Sequence, residues 1–138
     1  MVSTTTSSTT TSQTIRERVL ARMHDFTTYQ ATRVALYKEF EEAFAQNLNT
    51  TATTINTTSS TTGSNLTCTD EEFALVCRIT TDGFNEVSQD IRAVEQELLN
   101  INANEQEEGI DQMVLDETKE LATFIRQLQE LEREKLKL

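Results

Sequence analysis

The chain has 138 residues and a formal net charge of −11, with 23 acidic residues against 12 basic ones. That length bounds it to one domain, and the acidic balance argues against a phosphate-led grip on nucleic acid, which needs a basic footprint. There is no proline and there are only three glycines, so long helices can run uninterrupted, and no apolar stretch approaches the roughly 18 residues needed to cross a bilayer.

Residues 1–13 are mostly Ser and Thr, with no basic flank and no apolar segment. They read as a disordered leader rather than a secretory signal, which points to a nuclear or cytoplasmic protein, not a secreted one. The first helix is expected over 14–48. Thr14 and Glu17 stand at capping-box spacing, and Ile15, Val19, Met23, Phe26, Leu36, Phe40 and Phe44 form an inward face that Tyr29, Val34 and Tyr37 widen. Residues 49–68, rich in Thr, Ser and Asn, bury too little apolar surface to offset the cost of ordering, so they read as a flexible insertion. The Asn-x-Ser/Thr triplets at Asn49, Asn56 and Asn65 arise there by composition.

The second helix, 70–103, carries the clearest signal in the chain. Thr69 and Glu72 form a capping box. Phe73, Cys77, Thr80, Phe84, Val87, Ile91, Val94, Leu98 and Ile101 then follow at alternating steps of four and three, a heptad stripe. Gly83 lies beside it, which suits either a close approach of a neighbouring helix or a kink. A polar turn ending at Gly109 leads to the third helix, 111–138, capped by Asp111 with Ile110 and Leu115 at staple spacing. Its expected stripe is Ile110, Val114, Leu121, Phe124, Leu128, Leu131 and Leu138, interrupted at Glu117 and Lys135. The fold class is all-α: a coiled-coil-like antiparallel three-helix bundle over 14–138, with all six phenylalanines in the core.

Chemistry is sparse. Cys77 sits on the apolar stripe and reads as a buried thiol, while Cys68 lies ahead of the helix and could be exposed. With His24 as their only companion, the two cysteines cannot complete a zinc site within one chain. His24 and Asp25 are adjacent, so a helix points them apart. Gly63, Gly83 and Gly109 are isolated and make no phosphate loop. No enzyme, metal or cofactor is expected.

Charge is uneven. Residues 14–33 hold Arg16, Arg18, Arg22 and Arg33 against Glu17 and Asp25, a net of +2, whereas 70–104 hold eight acids against Arg78 and Arg92, a net of −6. Either the basic start of the first helix lies beside the acidic stretch and sets bundle register, or an acidic face docks on a basic partner. On the third helix, Ile125, Leu136, Arg126, Glu130, Arg133 and Glu134 lie off the expected stripe. They are the candidate partner surface, the alternative being that Ile125 and Leu136 broaden the core.

Three blocks carry a resemblance. Arg33, Tyr37 and Phe40 form R-x-x-x-Y-x-x-F; Phe84, Ser88, Ile91 and Glu95 form F-x-x-x-S-x-x-I-x-x-x-E; and residues 128–136 read L-Q-E-L-E-R-E-K-L. The set resembles the required-for-excision 1-B family of small helical proteins linked to DNA repair. The resemblance implies a non-enzymatic accessory protein of nucleotide excision repair, working through protein contacts with repair factors. A structural coiled-coil subunit of a cytoskeletal or scaffolding complex would use the same heptads. Direct DNA binding through Arg16, Arg18 and Arg22 is a third, weaker reading. The heptads also allow a homo-oligomer.

Overall fold

The computed structural model describes residues 5–56, 68–104 and 111–137, with side chains at 13–52, 68–104, 111–135 and 137. Three helices account for nearly all of them: α1 (Thr5–Asn56), α2 (Asp70–Asn104) and α3 (Gln112–Leu136). Among the described residues there are no strands. The expected all-α bundle is therefore the fold observed.

The starts of α2 and α3 follow the sequence closely. The Thr69 amide donates to Glu72 Oε2 at 2.9 Å and the Glu72 amide donates back to Thr69 Oγ1 at 3.2 Å, a complete capping box. Asp111 accepts from the Met113 amide at 3.1 Å and caps α3. Ile110 and Leu138 lie outside the described residues, so the staple and the ends of the third stripe do too.

The ends of α1 differ from expectation. The helix begins at Thr5, nine residues before Thr14, so Thr14 and Glu17 are interior to it and do not form its N-terminal cap. It also runs past Leu48 to Asn56, taking in the first part of the stretch read as an insertion. Nothing stops it: the first glycine is Gly63 and there is no proline. Threonine hydroxyls that would compete with the helix are turned back onto it instead. Thr50 Oγ1 donates to the Gln46 carbonyl at 2.9 Å and Thr51 Oγ1 to that of Asn47 at 3.1 Å. Residues 1–4 and 57–67, the remainder of the leader and most of the insertion, lie outside the described residues.

The chain divides into two compact units, one of residues 1–29 with 88–138 and one of residues 30–87. The first is a three-helix bundle. Its centre is Ile15, Val19 and Phe26 from α1, Ile91, Val94, Leu98 and Ile101 from α2, and Val114, Leu115, Thr118, Ala122 and Ile125 from α3. α2 and α3 run antiparallel: Asn102 Nδ2 donates to the Leu115 carbonyl at 2.6 Å and Gln129 Nε2 to that of Ser88 at 3.4 Å. Arg22 of α1 reaches Glu97 of α2 at 3.0 Å and also holds Asp25 at 3.0 Å. The basic start of α1 thus lies beside the acidic α2 in this unit.

The second unit is a two-helix hairpin. Tyr37 lies against Phe84 with ring centroids 4.6 Å apart, and Phe73 contacts both Phe40 and Phe44 at about 6 Å. Asn47 Nδ2 donates to Asp70 Oδ1 at 2.9 Å near the closed end. These pairs run in opposite directions along the two helices, which makes the hairpin antiparallel. Gly83 serves close approach: a Cβ there would stand 2.9 Å from Leu36 Cδ2.

Among the described residues of this unit, two helices pack together and one flank of each is exposed. Val34, Phe44, Leu48, Leu75 and Ile79 are exposed, so Val34 and Phe44 do not belong to the core as expected. Arg33 and Ala43 are buried in their place, with Arg33 Nη1 donating to Gln30 Oε1 at 3.4 Å. Thr80 is buried because its hydroxyl is satisfied by the Val76 carbonyl.

Candidate interaction surface

α3 has to turn one side into the three-helix unit, and the side it turns is rotated from the expected stripe. Val114 is buried as expected, but Thr118, Ala122 and Ile125 continue the core. Thr118 Oγ1 donates to its own helix at the Val114 carbonyl, 2.8 Å away, so the residue packs as a methyl group. Leu121 and Leu128 are half-buried, while Phe124 and Leu131 are 50% and 65% exposed. Phe124 is therefore not a core residue.

Ile125 is 0% exposed, and its place in the candidate partner surface is corrected: it is a central core side chain of the unit. Leu136 ends α3, and its side chain lies outside the described residues. The four charged members are all exposed. Arg126 Nε lies 4.0 Å from Glu130, and Lys137 Nζ lies 3.0 Å from Glu134. Glu130, Arg133 and Glu134 border one open crevice of about 600 Å³ with Leu131 and Lys137. The charged set is thus gathered on one stretch of α3, with Ile125 removed to the core.

The other candidate groups disperse. Arg18 and Arg22 line a cavity of about 370 Å³ with Glu97, Asn100, Ile101 and Asn104, between α1 and α2. Arg16 lines a different one of about 260 Å³, with Leu20, Glu117 and Leu121, between α1 and α3. The three arginines therefore do not make one basic face, and Arg22 is held by two carboxylates. His24 is exposed, and its neighbour Asp25 is one of those carboxylates. Among the described residues, no three His, Cys, Asp or Glu side chains gather as a metal site.

The cysteines exchange their expected environments. Cys68 is the buried one, and Cys77 is half-buried. The residue just ahead of α2 is held against α1: Asn47 Nδ2 donates to the Cys68 carbonyl at 3.3 Å. Burial pushes the Cys68 thiol above its ordinary value of 9.0, with Glu72, Asp70 and Cys77 adding to the shift. A thiol so raised is a poor nucleophile at neutral pH.

No described helix is long and apolar enough to cross a membrane. Neither the curated proteins nor the solved structures include a significant match to the chain. A family model does match, that of DNA repair REX1-B, over residues 21–138. The match takes in α1 from Ala21 together with α2 and α3, and so covers all three blocks that carry the resemblance. On that span, the chain belongs to the DNA repair REX1-B family.

Proposed function

We propose that this chain is a non-enzymatic accessory protein of nucleotide excision repair, acting in the nucleus through contacts with other repair proteins. The observation that carries the reading is the exposed charged set on α3, Arg126, Glu130, Arg133 and Glu134, in a family tied to DNA repair. Mixed charges on a rigid helix confer specificity and docking orientation more than raw affinity, which suits an accessory role. A net charge of −11 and the separation of Arg16 from Arg18 and Arg22 favour protein partners over DNA. The non-enzymatic reading is supported by the lone, exposed His24 and by the raised thiol of Cys68, which leave few groups suited to acid–base or nucleophilic work.

The test is affinity capture from cells before and after ultraviolet damage, with the wild-type chain and with Arg126→Glu/Arg133→Glu. Both arginines are exposed, so the variant should stay folded by circular dichroism. Repair factors captured by the wild type and lost by the variant support the proposal. Capture of cytoskeletal or scaffolding proteins in their place would favour the structural-subunit reading. Repair factors held undiminished by the variant would remove this surface from the reading.

A further inference from the structure

The half of α3 opposite Arg126 and Arg133 presents a second apolar line. Residues two apart on a helix are about 200° apart, so Phe124 and Leu131 face away from Arg126 and Arg133. Leu121, Phe124, Leu128 and Leu131 follow the four-and-three spacing of a coiled-coil seam, yet the core of the unit runs along Thr118, Ala122 and Ile125 instead. The seam is therefore complete in its spacing and partly uncovered. Soluble chains seldom leave such a line without an occupant.

Its two ends identify the occupant. The seam is closed by Glu117 on one side and Lys135 on the other, both at seam positions and both exposed. They carry opposite charges and lie at equal distance from position 126, nine residues before it and nine after it. We propose that this stripe binds the same stripe of a second copy of the chain, antiparallel, as a two-fold symmetric dimer. Turning one α3 end for end about the level of Arg126 sets Glu117 against the partner's Lys135. The same turn sets Leu121 against the partner's Leu131 and Phe124 against the partner's Leu128. Each contact occurs twice, as a two-fold interface requires.

Charge selects this arrangement over its competitors. A parallel pair would put Glu117 against Glu117 and Lys135 against Lys135, which is repulsive at both ends. Gln127 falls close to the two-fold axis, where its amide can bond to its counterpart. Glu120 and the partner's Glu134 share a flank, but Glu134 is already drawn to Lys137 at 3.0 Å, which lessens their repulsion. Leu20 of α1, exposed beside the cavity that Glu117 and Leu121 line, extends the apolar surface where the partner's Leu131 arrives. Self-association of this kind leaves Arg126 and Arg133 on the far side of α3, while Glu130 and Glu134 border the crevice that Leu131 lines.

Sedimentation velocity of the full chain over a broad concentration range tests it, using the wild type, Glu117→Lys, Lys135→Glu and the two reversals combined. Both positions of charge are on exposed side chains, and unchanged circular dichroism checks the fold. The wild type is expected to reach the dimer mass, each single reversal to weaken dimerisation about tenfold, and the combined variant to recover it. A chain that stays monomeric throughout would overturn the proposal and leave the seam to a helix of another protein. Single reversals without effect, a combined variant as weak as either alone, or a dimer strengthened by Glu117→Lys would overturn it equally.

Discussion

At the scale of single residues, Gly83 and Cys68 show how local packing decides chemistry. Gly83 costs helix stability in isolation, about 1 kcal/mol against Ala. It is retained where Leu36 of α1 comes so close that a Cβ would stand 2.9 Å from its Cδ2. Gly83→Ala should be nearly neutral, because gained helix propensity offsets a small shift of the flexible Leu36 tip. Gly83→Val should cost about 1–3 kcal/mol by overpacking, read from urea unfolding. A valine variant as stable as the wild type would mean that the two helices separate without cost. Cys68 offers a pH readout. Its thiol is raised by burial first and by nearby carboxylates second, so the fold favours the protonated form. The stability this protects is present below the ordinary thiol value of 9.0 and is lost as pH climbs through the raised folded value. At pH 8, iodoacetamide should therefore label the half-buried Cys77 well ahead of Cys68, and preferential labelling of Cys68 would contradict its burial.

At the scale of the helix, α2 and α3 contrast sharply. Every position of the α2 stripe from Phe73 to Ile101 is buried or half-buried, as its spacing predicts. That helix was legible because large apolar residues hold one line with Thr80 as the single polar member. On α3 the same logic chose the wrong line. Leu121, Phe124, Leu128 and Leu131 outweigh Thr118 and Ala122 in any hydropathy count, yet the small residues face inward. A threonine bonded to its own backbone and an alanine allow close helix approach, and neither advertises burial in sequence. The registers are separable by mutation. Ile125→Ala should destabilise the fold by about 2–5 kcal/mol, whereas Leu131→Ala, 65% exposed, should cost well under half of that by thermal or urea unfolding. Equal losses would restore the register read from spacing. The ends of α1 were hidden for a different reason. Ser and Thr lower helix propensity without forbidding it, and Thr50 and Thr51 answer their own hydroxyls within the helix. The exposed charged set on α3 could be read from sequence, but the burial of Ile125 among it could not.

At the scale of the whole molecule, unequal helix lengths divide the chain energetically. α1 has 52 residues and α3 has 25, so a third helix completes one unit and not the other. The largest fully buried side chains, Ile15, Ile91, Leu98, Leu115, Thr118 and Ile125, all belong to the three-helix unit. The hairpin of 30–87 has fewer apolar contacts to lose when it opens. Native-state hydrogen exchange should accordingly show amides of 34–50 and 70–84 opening at lower free energy than those of 91–101 and 114–125. Uniform protection would mean that the two units unfold as one. The link to DNA repair was legible only through the three sequence blocks and their family, because the charged set on α3 marks a surface without naming what docks there. The most direct measurement of that role is the rate of ultraviolet photoproduct removal in cells whose only copy of this chain is Arg126→Glu/Arg133→Glu. Removal should be slow in cells lacking the chain, restored by the wild type, and not restored by the variant, although it is folded. Normal removal in cells lacking the chain would contradict a function in excision repair, and full restoration by the variant would contradict the use of this face of α3.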